Sequence, residues 1–135
     1  ADAYDFDPEH GGTGSKARSF RGTKFPRPPV WQFLLSQSRQ KGKDDLTKHV
    51  HFTLHKMAEG GIYDHLGGGF HRYSTERTWT VPHFEKMLYD NAQLVELYSD
   101  AYAATQDPAY KRVVDETLAF VKREMTSPDG AFYSA

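Results

Sequence analysis

The sequence contains no cysteine among its 135 residues. This absence excludes disulfide bonds, thiolate metal ligands, a cysteine nucleophile and thiol redox chemistry by this chain. Long apolar runs are also missing, and none approaches the roughly 20 residues of a membrane-spanning helix. Nor is there an excess of positive charge, because 17 basic side chains are balanced by 18 acidic ones, for a formal net charge of -1. We therefore predict neither a membrane nor a nucleic-acid partner, and a cytoplasmic location.

Motifs of several enzyme and cofactor-binding classes are missing too. There is no Gly-x-Ser-x-Gly elbow and no phosphate loop ending in Gly-Lys-Ser/Thr, which argues against α/β-hydrolases and P-loop proteins. The sequence accordingly predicts no cofactor. His51 and His55 have the i, i+4 spacing of some zinc sites. Because Phe52 stands where a His-Glu-x-x-His motif has glutamate, we interpret this stretch as a solvated helix surface and predict no metal.

The spacing of apolar residues, with caps and breakers between them, predicts four helices. We expect them from about Pro29 to Gln40, from Asp44 to Gly60, from near Pro82 to about Thr105, and from Asp107-Pro108 to near Thr126. Residues 1–29 are rich in glycine and proline and predict a loop-rich N-terminal segment, followed by a helical unit over 30–135. Aromatic and β-branched residues between the second and third helices predict a small β-hairpin there. The fold class is therefore all-α, built from antiparallel helical hairpins.

Two long stretches carry a family resemblance: GGIYDHLGGGFHRYS at 60–74 and VPHFEKMLYDNAQL at 81–94, flanked by TKFPRP at 23–28 and GAFYSA at 130–135. They resemble the family of spermatogenesis-associated protein 20 and its bacterial relatives, the thioredoxin-domain-containing proteins of the YyaL type. The resemblance implies an N-terminal thioredoxin-like domain, and after it a helical domain similar to six-hairpin glycosidases and N-acylglucosamine 2-epimerases.

By this resemblance, the chain corresponds to the first part of an (α/α) toroid within a longer protein. One departure is visible, since Thr13 takes an aromatic position of the family pattern and residues 15–22 look like an insertion. A toroid cut after two hairpins leaves apolar helix faces uncovered, so we also expect the fragment to self-associate.

Polar side chains crowd into residues 64–91, where the loops of a toroid form the rim of its central pocket. Histidine and carboxylate groups exchange protons near neutral pH, so the predicted catalytic residues are His71, His83 and Glu85. The predicted substrate-binding residues, which include two aromatic rings for stacking on a sugar, are Asp64, His65, Arg72, Tyr73, Trp79, Asp90 and Asn91. The competing interpretation is structural, with these residues serving as caps and surface pairs such as Lys86 with Asp90.

Two functions follow from these observations. The first is the binding or transformation of a sugar by acid/base chemistry, which rests on an analogy of fold. The second is a non-catalytic protein-interaction platform that serves a linked thioredoxin-like redox domain. The sequence leaves open whether the chain belongs to an enzyme.

Overall fold

A computed structural model of the protein describes residues 5–37 and 44–135. Within these ranges the helices are α1 (Pro28–Gln37), α2 (Asp44–Glu59), α3 (Leu88–Thr105) and α4 (Pro108–Glu124). Two short strands, β1 (Asp5–Phe6) and β2 (Thr13–Gly14), form an antiparallel pair. The predicted all-α class is confirmed. The last residues of the first predicted helix, 38–40, lie outside the described residues.

Local signals explain where the helices begin and end. Asp107 caps α4 by accepting a hydrogen bond from the backbone N–H of Ala109 at 2.9 Å, and Pro108 occupies the first turn, where no N–H is needed. α2 ends at Glu59, directly before the two glycines that predicted its end. None of the described helices combines the length and apolarity that a membrane span requires.

α3 begins at Leu88 and not near Pro82, which corrects the predicted boundary. Residues 82–87 run instead alongside residues 72–74. The N–H of His83 donates to the carbonyl of Tyr73 at 2.9 Å, and the N–H of Arg72 donates to the carbonyl of Glu85 at 2.7 Å. Backbone groups committed to a neighbouring segment are not available for a helical turn.

The small sheet lies before α1, whereas the sequence placed a β-hairpin between the second and third helices. In that region isolated bridges join Tyr63 to Phe70 and Ser74 to Pro82. Pro82 has no backbone N–H, so a ladder does not continue through it. The turn between Ser74 and Pro82 is closed by a side chain. The Glu76 carboxylate accepts hydrogen bonds from the N–H groups of residues 78, 80 and 81 at 2.6–2.8 Å.

The core is rich in aromatic rings and centres on α3, which packs against α1 and α4. Tyr98 of α3 is fully buried, and its hydroxyl donates to the carbonyl of Leu54 in α2 at 2.7 Å. The Tyr98 ring stacks on Phe70 and meets Tyr110 edge-on, with centroids 5.4 and 5.7 Å apart. The loop before α3 is thereby tied into the same core as the helices.

A buried ionic cluster fastens the N-terminal segment to the rest of the fold. The carboxylate of Asp7 is fully buried and accepts hydrogen bonds from Lys24 Nζ, Arg77 Nε and Arg77 Nη2, each at 2.8 Å. Burial alone raises the pKa of Asp7, but the hydrogen bonds from Arg77 and Lys24 outweigh it and hold that pKa well below its usual range. Lys24 and Ser74 also exchange two backbone hydrogen bonds of 2.8 Å. Residues 5–29 of the segment predicted as loop-rich therefore have a fixed course.

Candidate functional site

The paired segments 71–74 and 82–85 bring the three predicted catalytic residues to one edge of the molecule. Their side chains nevertheless take separate partners. The His83 ring stacks on Tyr73, with centroids 4.7 Å apart and planes 3° apart, and Glu85 Oε1 accepts a 3.2 Å hydrogen bond from Arg72 Nη1. His71 meets Phe84 edge-on at 5.3 Å. Their convergence at a single catalytic point stays a prediction.

The carboxylate of Asp64 caps the glycine-rich loop that contains Gly67, Gly68 and Gly69. This carboxylate accepts hydrogen bonds from the N–H groups of Leu66 and Gly67 at 3.0 and 2.8 Å, and from Lys86 Nζ at 2.7 Å. The bond from Gly67, followed by the one from Lys86, holds the pKa of Asp64 well below its usual range. Lys86 thus pairs with Asp64, and not with Asp90 as the surface-pair interpretation proposed.

Two glycines of this loop are required by packing against α4. Gly68 and Gly69 have φ of +81° and +82°, a region that side chains rarely adopt. A Cβ on Gly68 lies 2.4 Å from the carbonyl oxygen of Glu116, and one on Gly69 lies 2.8 Å from the ring of Phe120. The loop therefore packs directly against α4, with no room for a side chain at Gly68 or Gly69.

Three predicted substrate-binding residues form hydrogen bonds within the protein, and two of the three are fully buried. Asn91 is fully buried and bonds to both the N–H and the carbonyl of Phe70. Trp79 is fully buried and donates its indole N–H to the carbonyl of His10 at 2.8 Å, so its ring faces are not available to a sugar. His65 is exposed, and its Nε2 lies 2.9 Å from the carbonyl of Gly60.

His71 is half-buried and incompletely hydrogen-bonded. Its Nδ1 is buried without a hydrogen-bond partner among the described residues. Burial lowers the pKa of His71, the positive charge of Lys86 lowers it further, and the carboxylate of Asp64 opposes them. The pKa of His71 therefore lies below its ordinary value, and its Nδ1 has unused hydrogen-bonding capacity.

A cleft of about 590 Å³ opens between the N-terminal segment and the helical unit. It is lined by residues of the segment 13–28 together with Arg72, Asp90 and Leu94. Of the predicted site residues, Arg72 and Asp90 reach this cleft. The N-terminal wall of this cleft was not predicted from the sequence, although arginines at 18, 21 and 27 within a glycine- and proline-rich segment indicate a basic surface.

Asp90 is the unusual carboxyl group of this cleft. Its Oδ2 is buried and accepts no hydrogen bond from the described residues. Burial raises the pKa of Asp90, and the nearby carboxylate of Glu85 adds to this, while the positive charge of Arg72 opposes it. A carboxyl group with a raised pKa takes up and releases a proton closer to neutral pH than an ordinary aspartate does.

The two helical histidines considered for zinc have other partners. His51 Nδ1 lies 2.7 Å from the hydroxyl of Tyr110, and His55 Nε2 lies 3.0 Å from Asp107 Oδ2. Across residues 5–37 and 44–135, His, Asp and Glu side chains form no group of three placed to hold a metal ion.

Comparisons with known proteins show which proteins this chain is similar to. The chain is 44% identical to spermatogenesis-associated protein 20 of Homo sapiens over 135 residues, covering 96% of this chain and 16% of that protein. The family resemblance is confirmed. The mouse protein of the same name is 43% identical with the same coverage, and an uncharacterised protein of Caenorhabditis elegans is 39% identical over 137 residues, covering 96% of this chain and 18% of that one. No family model matches the chain.

The chain thus spans about a sixth of the length of these relatives, whose names state no activity. The thioredoxin-like domain implied by the resemblance stays a prediction.

Solved structures share the fold at low sequence identity. A sugar epimerase from a ruminal bacterium superposes with a TM-score of 0.75 at 16% identity, covering 93% of this chain and 33% of that one. Cellobiose 2-epimerase from Spirochaeta thermophila gives a TM-score of 0.74 at 18% identity, covering 96% of this chain and 33% of that one. The predicted toroid-type architecture is confirmed, and the chain corresponds to about a third of such a toroid.

Proposed function

We propose that this chain forms part of a sugar-binding pocket in which carboxyl groups carry out acid/base chemistry on the bound sugar. The observation that carries the proposal is the cleft of about 590 Å³ with Arg72 and Asp90 in its wall. Its volume lies in the range of small-molecule sites, which is about 300–1,000 Å³. The fold shared with sugar epimerases supports a carbohydrate ligand without assigning an activity.

Asp90 is the acid/base group of this proposal. Its Oδ2 has no hydrogen-bond partner in the described part of the chain, and burial raises its pKa above the ordinary value of an aspartate. Arg72 binds Glu85 at 3.2 Å and holds a second carboxylate close by. A pair of carboxyl groups is the usual arrangement for acid/base work on sugars. The catalytic roles of His71 and His83 stay predictions.

Titration calorimetry of the full chain against a panel of hexoses and disaccharides tests the proposal. We expect at least one sugar to bind, and Asp90→Asn to abolish deuterium incorporation from D₂O into that sugar while leaving its binding within about 3-fold. The matched control is Glu96→Gln, which converts an exposed carboxylate of the same helix to an amide. If no sugar binds at millimolar concentration, or if both variants lose exchange equally, the proposed chemistry is wrong.

One observation favours the interaction platform as a second candidate function. Leu66 and Phe84 present 101% and 81% of their reference surface to solvent on the two loops that carry the predicted site. Exposed apolar side chains of this size often mark surfaces that bind another protein. Replacing both by serine while measuring binding to the thioredoxin-like domain of a longer relative separates the two candidates, because sugar binding in the cleft does not depend on these side chains.

A further inference from the structure

The wall of the cleft carries much more positive charge than the chain as a whole. Its charged side chains are those of Arg18, Arg21, Lys24, Arg27, Arg72 and Asp90, although the formal net charge of the protein is only -1. Lys24 Nζ binds Asp7, and Arg72 binds Glu85. Arg18 and Arg21 add positive charge on the N-terminal wall.

Arg18 and Arg21 form the exposed part of this wall. Neither makes an ion pair with a carboxylate among the described residues. The backbone N–H and the Nε of Arg21 both donate to the carbonyl of Arg18, at 3.2 and 3.0 Å, which fixes one guanidinium beside the turn and leaves its terminal nitrogens available. A guanidinium presents several N–H donors in a planar fork and forms paired hydrogen bonds with phosphate oxygens.

The backbone that carries these arginines is strained. Ser19 and Phe20 lie between them with φ of 54° and 58°, the left-handed region that residues with a side chain rarely occupy. The Phe20 ring lies under the guanidinium of Arg77 at 5.1 Å, and Arg77 is itself held by Asp7. Strained non-glycine positions that surrounding contacts over-determine are concentrated at ligand-binding sites. The ionic cluster around Asp7 thus contacts Phe20, which lies between the two arginines in the sequence.

We propose that the ligand of the cleft is a sugar that bears a phosphate group, and that Arg18 and Arg21 bind this phosphate. This inference rests on the proposed sugar-binding function and adds the charge class of the sugar. The two arginines take the phosphate at the N-terminal wall, and Arg72 and Asp90, which line the same cleft, take the sugar ring. A hexose phosphate fits within a cleft of about 590 Å³.

Paired ligands test this assignment on the full chain. We measure the affinities of glucose, mannose and N-acetylglucosamine beside those of their 6-phosphates, with inorganic phosphate and glucuronate as further probes. We expect at least one 6-phosphate to bind about 10- to 100-fold more tightly than its parent sugar, the factor expected from one or two charge-assisted hydrogen bonds. Raising the salt concentration is expected to weaken only the phosphorylated member of that pair.

Charge-removing variants identify the residues. Arg18→Gln and Arg21→Gln are each expected to weaken the 6-phosphate about 10-fold while leaving the parent sugar unchanged. The matched control is Arg112→Gln, at an exposed arginine of α4 away from the cleft, which is expected to change neither affinity. Thermal unfolding of each variant confirms that the fold is retained.

The alternative outcomes are distinguishable. If a parent sugar binds as tightly as its 6-phosphate and the arginine variants change nothing, the phosphate assignment is wrong and the sugar-binding function stands. If glucuronate equals the 6-phosphates, the anionic group is a carboxylate and the phosphate assignment is again wrong. If inorganic phosphate binds as tightly as every 6-phosphate and no parent sugar binds, the site does not recognise sugars, and both proposals fall.

Discussion

Asn91 holds the backbone of Phe70 by two hydrogen bonds at once. Its Oδ1 accepts from the N–H of Phe70 at 2.7 Å, and its Nδ2 donates to the carbonyl of Phe70 at 3.1 Å. Both residues are buried, so water does not replace either bond. A single side chain in the first turn of α3 therefore fixes the end of the glycine-rich loop.

Removing the Asn91 amide is expected to destabilise the fold. Asn91→Ala leaves a buried N–H and a buried carbonyl of Phe70 without partners, and each such group costs about 1 to 3 kcal/mol. We expect the free energy of unfolding in urea to fall by about 2 to 5 kcal/mol. Gln93→Ala removes an exposed amide from the same helix and is expected to cost less than about 0.5 kcal/mol. Equal losses in the two variants would mean that the clamp on Phe70 contributes nothing.

The tolerance of Gly68 to a side chain tests the packing of the loop on α4. In Gly68→Ala the new Cβ lies 2.4 Å from the carbonyl oxygen of Glu116, in addition to the strain of φ +81°. Gly130→Ala is the matched control, because its φ is +88° but nothing lies within 4 Å of its Cβ. We expect Gly130→Ala to cost about 1 to 2 kcal/mol from backbone strain alone. Gly68→Ala is expected to cost about 1 to 3 kcal/mol more in the same urea titration; if the two losses match, the loop moves away from α4 freely.

Helix positions were predictable because the information for them is local. The cap and first-turn proline at Asp107 and Pro108 set the start of α4 wherever the helix packs. The start of α3 was not predictable in this way. Phe84 and Met87 continue the apolar spacing of the helix, yet Phe84 is 81% exposed and its segment bonds to residues 72–74. Non-local backbone pairing overrode a helical pattern that is real in the sequence.

The candidate site also combines features that local sequence predicts with features that depend on contacts between distant residues. Residue type alone does not separate a ligand-facing Trp79 or Asn91 from a buried one, because both roles need a hydrogen-bonding polar tip. The N-terminal wall of the cleft depends on the ion pair between Asp7 and Arg77, which are 70 residues apart in sequence. No local pattern marks such a pair, so the sequence predicted a loop where the structure has half of a cleft.

The buried carboxylate of Asp7 is expected to contribute strongly to stability at neutral pH. Asp7→Asn breaks a buried ionic cluster, because it leaves Lys24 without its carboxylate and Arg77 with only its 3.8 Å contact to Glu9; breaking such a cluster costs about 3 to 5 kcal/mol. The native pKa of Asp7 lies below the ordinary value of 3.8, so its contribution is fully present above about pH 4 and is lost as the pH falls towards the native pKa. We expect the difference in unfolding free energy between the wild type and Asp7→Asn to be constant from pH 7 to 5 and to shrink at pH 3.

The control for Asp7 is an exposed ion pair. Asp115 binds Lys111 at 2.6 Å on the surface of α4, and both side chains are more than half exposed. Asp115→Asn is expected to change stability by less than about 0.5 kcal/mol at pH 7. A loss as large as that of Asp7→Asn would contradict the assignment of the buried cluster as the anchor of the N-terminal segment.

The titration of His71 reports directly on its surroundings. Burial and the charge of Lys86 lower the pKa of His71 below its ordinary value of 6.5. We expect its ring protons to titrate by NMR with a midpoint below 6.5, and Lys86→Gln to raise that midpoint because a nearby positive charge is removed. Lys122→Gln removes an exposed charge of α4 and is expected to leave the midpoint unchanged.

The lowered pKa of His71 also predicts whether the free energy of unfolding rises or falls as the pH changes. Because the unfolded chain binds a proton at His71 more readily than the native protein does, this group favours unfolding as the pH falls below about 6.5. The His71→Gln variant has no titratable side chain at this position. We therefore expect the unfolding free energy of the wild type to fall more steeply than that of His71→Gln between pH 7 and pH 5. Parallel pH profiles for the two proteins, together with an NMR midpoint at or above 6.5, would place His71 in a solvated setting and contradict the buried, unpaired Nδ1.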